Sequence, residues 1–520
     1  MRSKNSIINT IVAIIMNIVN IIISFCAQTI FIKQLGVEYN GINGLFLNIV
    51  SMLSIIELGI GSAIIYNLYK PIADNDKEKI KSLMKFYKKS YHLIAIIIFF
   101  IGICIIPFLN SIVGNVNIKE SIKFIFILFI IDTTFSYLLS YKRSILYANE
   151  KTYIVNIVHI IYLILMNTAQ IVLLIITSNY IIYLILKILF RIMENIVITI
   201  IANKRYPYIK EKNIKDLDKS LKNSITIKVK GLLFHKVGSF VVLGTDNIII
   251  SKFLGVTVVG LYTNYNMIIN ALTQVLGQIY MAITASIGNL LVENNKEKSY
   301  NIFKRLNFFN YIISSFCTIN FCVLANPFVD MWLGENFTFP YYVVIILGIN
   351  FYVQTMRKTI NAFKEAAGIF YEDRFVPIIE SIVNIIASVI LVKICGLSGV
   401  FLGTIISTLV IYIYSYPKYV YIPLFNKKRI EFLKQNIYYF ILLVCEGIIC
   451  VFISKYIVIT NLIIEIICKL IICTISIYIM NSFIFHKKEE YKYFKDLIKE
   501  NFININKKIN KHKNNRKEER

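Results

Sequence analysis

Charged residues are scarce in this chain, and the groups that carry most enzyme chemistry show no useful arrangement. Only 17% of its 520 residues are Asp, Glu, Lys or Arg, whereas a soluble protein carries about 25%. The five histidines form no cluster, and the nine cysteines show neither a CxxC spacing nor a zinc-ligand spacing with histidine. No P-loop sequence is present either. We therefore expect no disulfides, no metal, no cofactor and no ATP hydrolysis through a P-loop.

Apolar sequence, by contrast, is abundant: 57% of the residues are hydrophobic and the mean hydropathy is +0.65. Runs of about 20 apolar residues, long enough to cross a bilayer, recur along almost the whole chain. The first run is too long for a cleavable signal peptide and should be a permanent span. The pattern predicts an all-α polytopic membrane protein with about fourteen transmembrane helices, at residues 7–31, 43–67, 91–112, 121–141, 153–177, 179–202, 231–251, 258–291, 307–332, 340–364, 375–394, 398–416, 436–455 and 460–485.

The formal net charge of +26 would suggest a nucleic-acid partner if the basic residues were evenly spread. Instead, 43 of the 56 Lys and Arg residues fall in the two tails and the even-numbered connections between predicted spans. Because basic residues flank the cytoplasmic ends of spans, both termini are predicted to lie in the cytoplasm, with no nucleic-acid partner. The basic tail is expected either to contact anionic membrane lipids or to be a solvated, disordered segment.

A ten-residue motif occurs twice in the chain. KQLGVEYNGI (33–42) and KFLGVTVVGL (252–261) share the spacing K-x-L-G-V-x-x-x-G, and they lie 219 residues apart. Six predicted spans separate the copies, so both halves should have the same orientation, and proteins of this kind usually hold a substrate between their halves. The repeat predicts two parallel, pseudo-symmetric six-helix lobes plus two extra C-terminal helices, divided as 1–202, a basic cytoplasmic connection 203–230, 231–416, spans 13–14 at 417–485 and a basic cytoplasmic tail 486–520.

Charged residues inside spans are costly, so each one suggests a functional site. In span 6, Lys187, Arg191 and Glu194 lie within about 60° of arc and form one stripe. An ion pair between Arg191 and Glu194 is one interpretation, and it would leave Lys187 unpaired near the middle of the membrane. The other interpretation places these side chains on a cavity.

Spans 1, 7 and 8 carry polar faces. Lys236 and Asp246 share one face of span 7, although Lys236 could also extend to the cytoplasmic interface. The repeat offset maps Lys236 onto Asn17, so the first helices of both halves should turn polar faces towards each other. The residues predicted to line the intervening cavity are Asn17, Asn20 and Gln28 on span 1 and Asn270 and Gln274 on span 8.

Three further groups complete the candidates. Glu57 in span 2 is either a proton or cation site or the buried partner of a basic residue, and Arg357 lies deepest among the charges of span 10. Glu465 and Lys469, at i and i+4 in span 14, are predicted to form a structural pair. A cavity with Lys187, Arg191, Lys236 and Arg357 as cations and Glu57, Asp246 and Glu194 as counter-charges would suit a phosphate or pyrophosphate.

Residues 31–80, FIKQLGVEYNGINGLFLNIVSMLSIIELGIGSAIIYNLYKPIADNDKEKI, resemble the opening of bacterial polysaccharide-biosynthesis flippases, the Wzx-like branch of the MOP superfamily. Residues 244–265, GTDNIIISKFLGVTVVGLYTNY, resemble the start of their second lobe. The resemblance implies alternating access and export of an undecaprenyl-pyrophosphate-type lipid-linked glycan to the outer leaflet of a bacterial plasma membrane. It also implies that cavity cations bind the carrier, here Arg191, Lys236 and Arg357, while Glu57 and Asp246 couple transport to an ion gradient. Glycosyltransferases or a polymerase of the same pathway would be further partners.

Other functions stay open at this point. A lipid II flippase and a multidrug exporter belong to the same superfamily, and an exporter should have fewer cavity cations. A membrane polysaccharide polymerase or ligase would require catalytic residues clustered on the outer face, where Glu38 and the 330–335 region are the candidates. A scaffold that transports nothing would tolerate loss of Lys236 or Arg191.

Overall fold

The computed structural model describes residues 2–57, 60–211, 214–219, 221–223, 225, 244–293, 295–496 and 499. These residues are almost entirely helical and include no strand. A π-helical stretch, Ile411–Tyr421, joins α15 to α16. The helices are α1 (Arg2–Leu35), α2 (Val37–Leu53), α3 (Ile60–Ala73), α4 (Lys77–Ile105), α5 (Leu109–Val113), α6 (Ile122–Leu138), α7 (Tyr141–Ala148), α8 (Thr152–Thr177), α9 (Tyr180–Arg205), the described part of α10 (244–254), α11 (Val256–Val292), α12 (Lys296–Leu333), α13 (Tyr341–Ala366), α14 (Val376–Cys395), α15 (Leu397–Val410), α16 (Ile422–Phe425), α17 (Arg429–Lys455), α18 (Leu462–Phe485) and α19 (489–496).

Polar side chains mark where several helices begin. The carboxylate of Asp76 accepts a hydrogen bond from the backbone N–H of Lys79, 2.9 Å away, at the start of α4. Asn179, Asn295 and Asn461 cap α9, α12 and α18 in the same way. Because the first N–H groups of a helix have no intrahelical partner, these caps fix the helix starts.

Nine helices in the described part of the chain are long and apolar enough to cross a membrane, and α6 with α7 makes a tenth if this pair, bent by 45°, is one span. All ten coincide with predicted spans. Of the other four, the span at 231–251 lies mostly outside the described residues and the span at 43–67 includes the undescribed residues 58–59. α9 and α13 are each 26 residues long and more polar. The all-helical, membrane-spanning class is confirmed, and the count of fourteen stays a prediction.

The helices form two compact units. Unit 1 comprises Met1–Gln274 and Asp373–Val410, and unit 2 comprises Val275–Glu372 and Ile411–Arg520. In unit 1, α1 packs against α8, α4 against α6, and α14 against α15. One apolar core of unit 1 gathers α3, α4, α7, α8 and α9 around Leu83, Tyr87 and Ile94. In unit 2, α12 packs against α13, α17 and α18. The two six-helix lobes read from the repeat stay a prediction.

Each copy of the repeated motif turns the chain sharply through a glycine. Gly36 precedes α2 and Gly255 precedes α11, and both have φ +93°. Glycine occupies this region at little cost because it lacks a Cβ atom. The conformational requirement explains why the two copies share a glycine between two long apolar segments.

The two copies meet where α2 crosses α11 in unit 1. A Cβ atom built on Gly41 would lie 2.0 Å from the carbonyl oxygen of Val256, and one built on Gly260 would lie 2.2 Å from that of Val37. Gly41 and Gly260 occupy equivalent positions of the repeat, as do Val37 and Val256. Each motif glycine therefore makes room for the backbone of the other copy, and small residues allow this close approach of membrane helices.

Candidate functional site

A carboxylate on α6 joins two cations on α9. Asp132 Oδ1 lies 3.2 Å from Arg191 Nε, and Asp132 Oδ2 lies 3.3 Å from Lys187 Nζ. Lys187 and Arg191 reach the same partner because residues four apart share a helix face. The prediction that Lys187 would remain unpaired is therefore wrong, since the neighbouring helix supplies its counter-charge.

Glu194, one turn further along α9, turns to other helices. Its Oε1 lies 3.0 Å from Arg143 Nη2 on α7 and 2.9 Å from His159 Nδ1 on α8. The carboxylate is fully buried, and Arg143 also donates to Asn195 Oδ1 at 2.9 Å. The possible intrahelical pair between Arg191 and Glu194 is not formed within the described chain, because each side chain has a partner on another helix.

Two of these cations reach a cavity of about 460 Å³ in unit 1, which we call the charged cavity. It is lined by Glu57, Gly61, Ile65, Tyr91, Ser136, Tyr137, Ser140, Arg143, Ser144, Tyr147 and Arg191. The Arg143 and Arg191 side chains are about one quarter exposed, and the Tyr91 hydroxyl donates to Glu57 at 3.1 Å. Among the described residues, Arg191 binds its acceptor only through Nε. Its two terminal nitrogens therefore remain available as donors.

A second cavity in unit 1, of about 400 Å³, is lined by nine amide side chains and by no charged side chain among the described residues. We call it the amide cavity. Its lining consists of Asn20, Ile21, Ser24, Phe25, Ala27, Gln28 and Phe31 on α1, Asn43, Gly44, Leu47 and Asn48 on α2, Asn167 on α8, Tyr183 on α9, Asn247 on α10, and Thr263, Asn266, Met267, Asn270, Ala271 and Gln274 on α11. Helices from both halves of the repeat thus contribute.

Helix α1 can line this cavity because its two faces differ chemically. At about 100° per residue, Asn20, Ser24 and Gln28 fall on one face, opposite a row of exposed isoleucines that includes Ile18 and Ile22. The isoleucine face is suited to lipid and the polar face to the cavity. Asn17 shares the polar face but is not among the residues that line the cavity.

A buried amide network supports one end of the amide cavity. Gln28 Nε2 donates to Asn40 Oδ1 at 2.8 Å and to Asn264 Oδ1 at 3.1 Å. Asn40 Nδ2 in turn donates to the carbonyl oxygen of Gly260 at 2.8 Å. Asn40 and Asn264 are completely buried. The network therefore ties α1 to the crossing of α2 and α11.

The other residues predicted from the sequence fall at several separate places in the structure or outside its described residues. Asp246 is buried on α10, and Lys236 lies outside the described residues. Arg357 belongs to unit 2, where its Nε donates to the hydroxyl of Tyr416 at 2.9 Å. Lys469 and Glu465 do form the predicted pair along α18. Asn20, Gln28, Asn270 and Gln274 all line the amide cavity.

Sequence reasoning missed several charged groups inside the structure, among them Asp132, Glu446 and Arg143. Asp132 stands alone in the apolar run ILFIIDTTF, and Glu446 stands in VCEGIIC. Glu446 is completely buried on α17 and accepts from the hydroxyl of Tyr311 at 3.1 Å. Arg143 was assigned to a connection, although it lies on the bent continuation of α6. The cost of an isolated charge in an apolar run is a signal that could have identified both carboxylates.

The helical architecture is the fold of MOP-superfamily transporters. The lipid II flippase MurJ in an inward closed conformation matches with a TM-score of 0.66 and 15% identity, covering 95% of this chain and 100% of that one. An inward-facing multidrug resistance MATE transporter of the MOP superfamily matches with a TM-score of 0.59 and 15% identity, covering 76% and 91%. A mutant of the Vibrio cholerae MATE transporter VcmN matches with a TM-score of 0.54 and 14% identity, covering 79% and 94%.

The family follows from the sequence. Residues 30–339 match the family model for polysaccharide biosynthesis proteins, and the chain belongs to this family. No curated protein sequence matches it significantly. The family match confirms the resemblance of residues 31–80 and 244–265 to polysaccharide-biosynthesis proteins, and the fold agrees with it.

Proposed function

We propose that the protein is a flippase that moves a polyprenyl-pyrophosphate-linked oligosaccharide from the cytoplasmic to the outer leaflet of a bacterial plasma membrane. The glycan would serve surface polysaccharide assembly, and both termini would lie in the cytoplasm. Transport would proceed by alternating access between two six-helix lobes. The observation that carries the proposal is the charged cavity, in which Arg143 and Arg191 present guanidinium groups inside a membrane protein of the polysaccharide biosynthesis family.

The chemistry of the charged cavity suits a pyrophosphate. Guanidinium groups bind phosphate oxygens through several parallel N–H donors, and Arg191 has two terminal nitrogens that no described residue uses. Asp132 holds Arg191 and Lys187 in place when no substrate is bound. An entering pyrophosphate would accept from the unused donors without first breaking these ion pairs.

The charge balance of the cavity offers a coupling mechanism. Behind the two cavity arginines, Asp132 pairs with Arg191 and Lys187, and Glu194 pairs with Arg143, so these five groups carry one excess positive charge when His159 is neutral. Glu57 on the cavity wall cancels that charge when it is ionised. Protonation of Glu57 would therefore favour the anionic substrate, and deprotonation would favour its release. By this reasoning transport is coupled to protons through Glu57.

Reconstitution tests the proposal directly. The full-length protein is placed in vesicles with a fluorescent undecaprenyl-pyrophosphate-linked oligosaccharide, and an impermeant reagent measures how fast the lipid becomes accessible from outside. Flipping well above that of protein-free vesicles is expected. Flipping no faster than in protein-free vesicles would contradict the proposal. In cells, deletion should trap complete lipid-linked units on the cytoplasmic side, whereas unpolymerised units on the outer side would indicate a polymerase or ligase.

The Arg191→Gln variant tests whether the charged cavity lies on the transport path. Loss of a charge-assisted hydrogen bond costs about 1.5–3 kcal/mol, so flipping should slow about tenfold to a hundredfold. Lys469→Gln is the matched control, because Lys469 forms an ion pair within one helix and lines neither cavity. Equal activity of Arg191→Gln and the unmodified protein would remove the charged cavity from the path.

A lipid II flippase is the second candidate, because the MurJ fold match covers 95% of this chain. The two functions share the carrier and differ in the glycan. Vesicles that contain lipid II in place of the oligosaccharide lipid separate them, since the favoured substrate should flip faster at equal concentration.

A further inference from the structure

We infer that the amide cavity is the binding site for the sugar part of the transported lipid, and that it selects uncharged sugars. This inference rests on the proposed function, because it names the glycan class that such a flippase would carry. The cavity volume of about 400 Å³ falls in the range of about 300–1,000 Å³ common for small-ligand sites.

The amides of the cavity have hydrogen-bonding capacity that the described protein does not use. The side chains of Asn20, Asn48, Asn266, Asn270 and Gln274 form no hydrogen bond with other described residues. Each amide offers two donor hydrogens and one acceptor oxygen. A sugar hydroxyl is itself both donor and acceptor, so it can bind either end of an amide. A row of such side chains therefore matches a neutral saccharide.

The lack of charge in the described lining argues against an acidic sugar or the pyrophosphate as occupant. A carboxylate that leaves water needs a counter-charge to offset its desolvation. The amide cavity offers none among its described residues, whereas Arg143 and Arg191 line the charged cavity. The anionic and neutral parts of one substrate are thus matched by different sites.

Aromatic rings and helix geometry support the same assignment. Phe25, Phe31 and Tyr183 line the amide cavity and provide apolar surfaces for the carbon face of a sugar ring. Tyr183 and Arg191 lie eight residues apart on α9, which is about 12 Å along the helix. A short oligosaccharide can bridge that distance from a pyrophosphate bound at Arg191.

The test compares two lipids that differ in a single carboxylate. The probes are undecaprenyl-pyrophosphate carrying N-acetylglucosamine linked to galactose, and the same lipid with glucuronic acid in place of galactose. Flipping is measured in vesicles for the unmodified protein, the double variant Asn20→Leu/Asn266→Leu, Asn266→Asp and the control Asn156→Leu. Asn156 is an amide on α8 outside the cavity.

We expect the unmodified protein to flip the neutral lipid about tenfold or more faster than the acidic lipid. Several amides can form hydrogen bonds with either sugar, but no amide supplies a counter-charge for the carboxylate of glucuronic acid. The double variant should flip the neutral lipid about tenfold more slowly than the unmodified protein does, and its rate with the acidic lipid should change little. Asn266→Asp keeps the side-chain shape, so transport of the neutral lipid should be retained. Because the new carboxylate repels glucuronic acid, transport of the acidic lipid should become still slower. Asn156→Leu should match the unmodified protein.

Three results would overturn the inference: equal transport of both lipids, preference for the acidic lipid, or an equal loss on both in the double variant. The Asn266→Asp measurement guards against misfolding, because a misfolded protein would lose both substrates together. If the unmodified protein moved neither lipid, the proposed function would itself be overturned. The two failures are therefore distinguishable.

Discussion

Replacing Gly41 in the first copy of the repeat, or Gly260 in the second copy, with alanine should destabilise the folded protein. In Gly41→Ala the added Cβ would lie 2.0 Å from the carbonyl oxygen of Val256, and in Gly260→Ala it would lie 2.2 Å from that of Val37. Both obstacles are backbone atoms, so no side-chain rotation can relieve the overlap. Helices α2 and α11 must move apart instead.

The size of the effect follows from ordinary contact distances. Carbon and carbonyl oxygen approach to about 3.3 Å, so Gly41→Ala requires a separation of roughly 1.3 Å. Overpacking of this kind costs about 1–3 kcal/mol, and a gap of about 1 Å forfeits up to half of the dispersion energy across the contact. Alanine returns about 1 kcal/mol through helix propensity. The net loss should be about 2 kcal/mol.

Thermal unfolding in detergent, followed with a dye that reacts with newly exposed thiols, measures this loss. Cys450 and Cys473 are free and buried, so they report unfolding. Gly277→Ala is the matched control: Gly277 lies on the same helix α11, and its Cβ would meet no atom within 4 Å. This control should melt at or above the temperature of the unmodified protein.

The double variant Gly41→Ala/Gly260→Ala gives the sharpest check. Both alanines open the same crossing, so the second substitution should cost less than the first. Fully additive losses would refute the idea that the two glycines serve one contact. A Gly41→Ala protein as stable as Gly277→Ala would refute the close approach itself.

Two further stability predictions use the same thermal assay. Glu194→Gln should destabilise the protein by about 3 kcal/mol, because removing one member of a buried ion pair leaves Arg143 without a counter-charge; an unchanged melting temperature would mean that the hydrogen bond to Asn195 and partial exposure are enough to stabilise the Arg143 charge. Asn40→Leu should cost about 1–3 kcal/mol, because it removes a bond to the Gly260 carbonyl and leaves Gln28 without one buried acceptor; a melting temperature equal to that of the unmodified protein would show that the amide network does not hold the crossing.

The sequence predicted ion pairs well only when they form within one helix. Glu465 and Lys469 pair along α18, as their i, i+4 spacing indicates. Arg191 and Glu194 are also close in sequence, yet each binds a residue from another helix. Such partners depend on how helices pack, and no spacing along the chain reveals that.

The sequence predicted which helix faces are polar better than it predicted which residues on those faces line a cavity. The stripe on α1 and the polar run on α11 do line one cavity, because a row of amides in a span must be protected from lipid. Asn17 shows the limit of the method: helical angle places it on the polar face, and its height along α1 places it beyond the cavity lining. Periodicity gives the face of a helix and leaves the depth of a pocket undetermined.

The crossing of α2 and α11 at Gly41 and Gly260 also constrains how this sequence can evolve. Each copy of the motif supplies the gap into which the other copy's backbone fits, so a side chain acquired at either glycine damages both halves at once. We therefore expect selection against substitutions at both Gly41 and Gly260, although these residues lie 219 positions apart in the sequence. This mutual dependence explains why both copies of the K-x-L-G-V-x-x-x-G motif carry glycine at the position of Gly41 and Gly260.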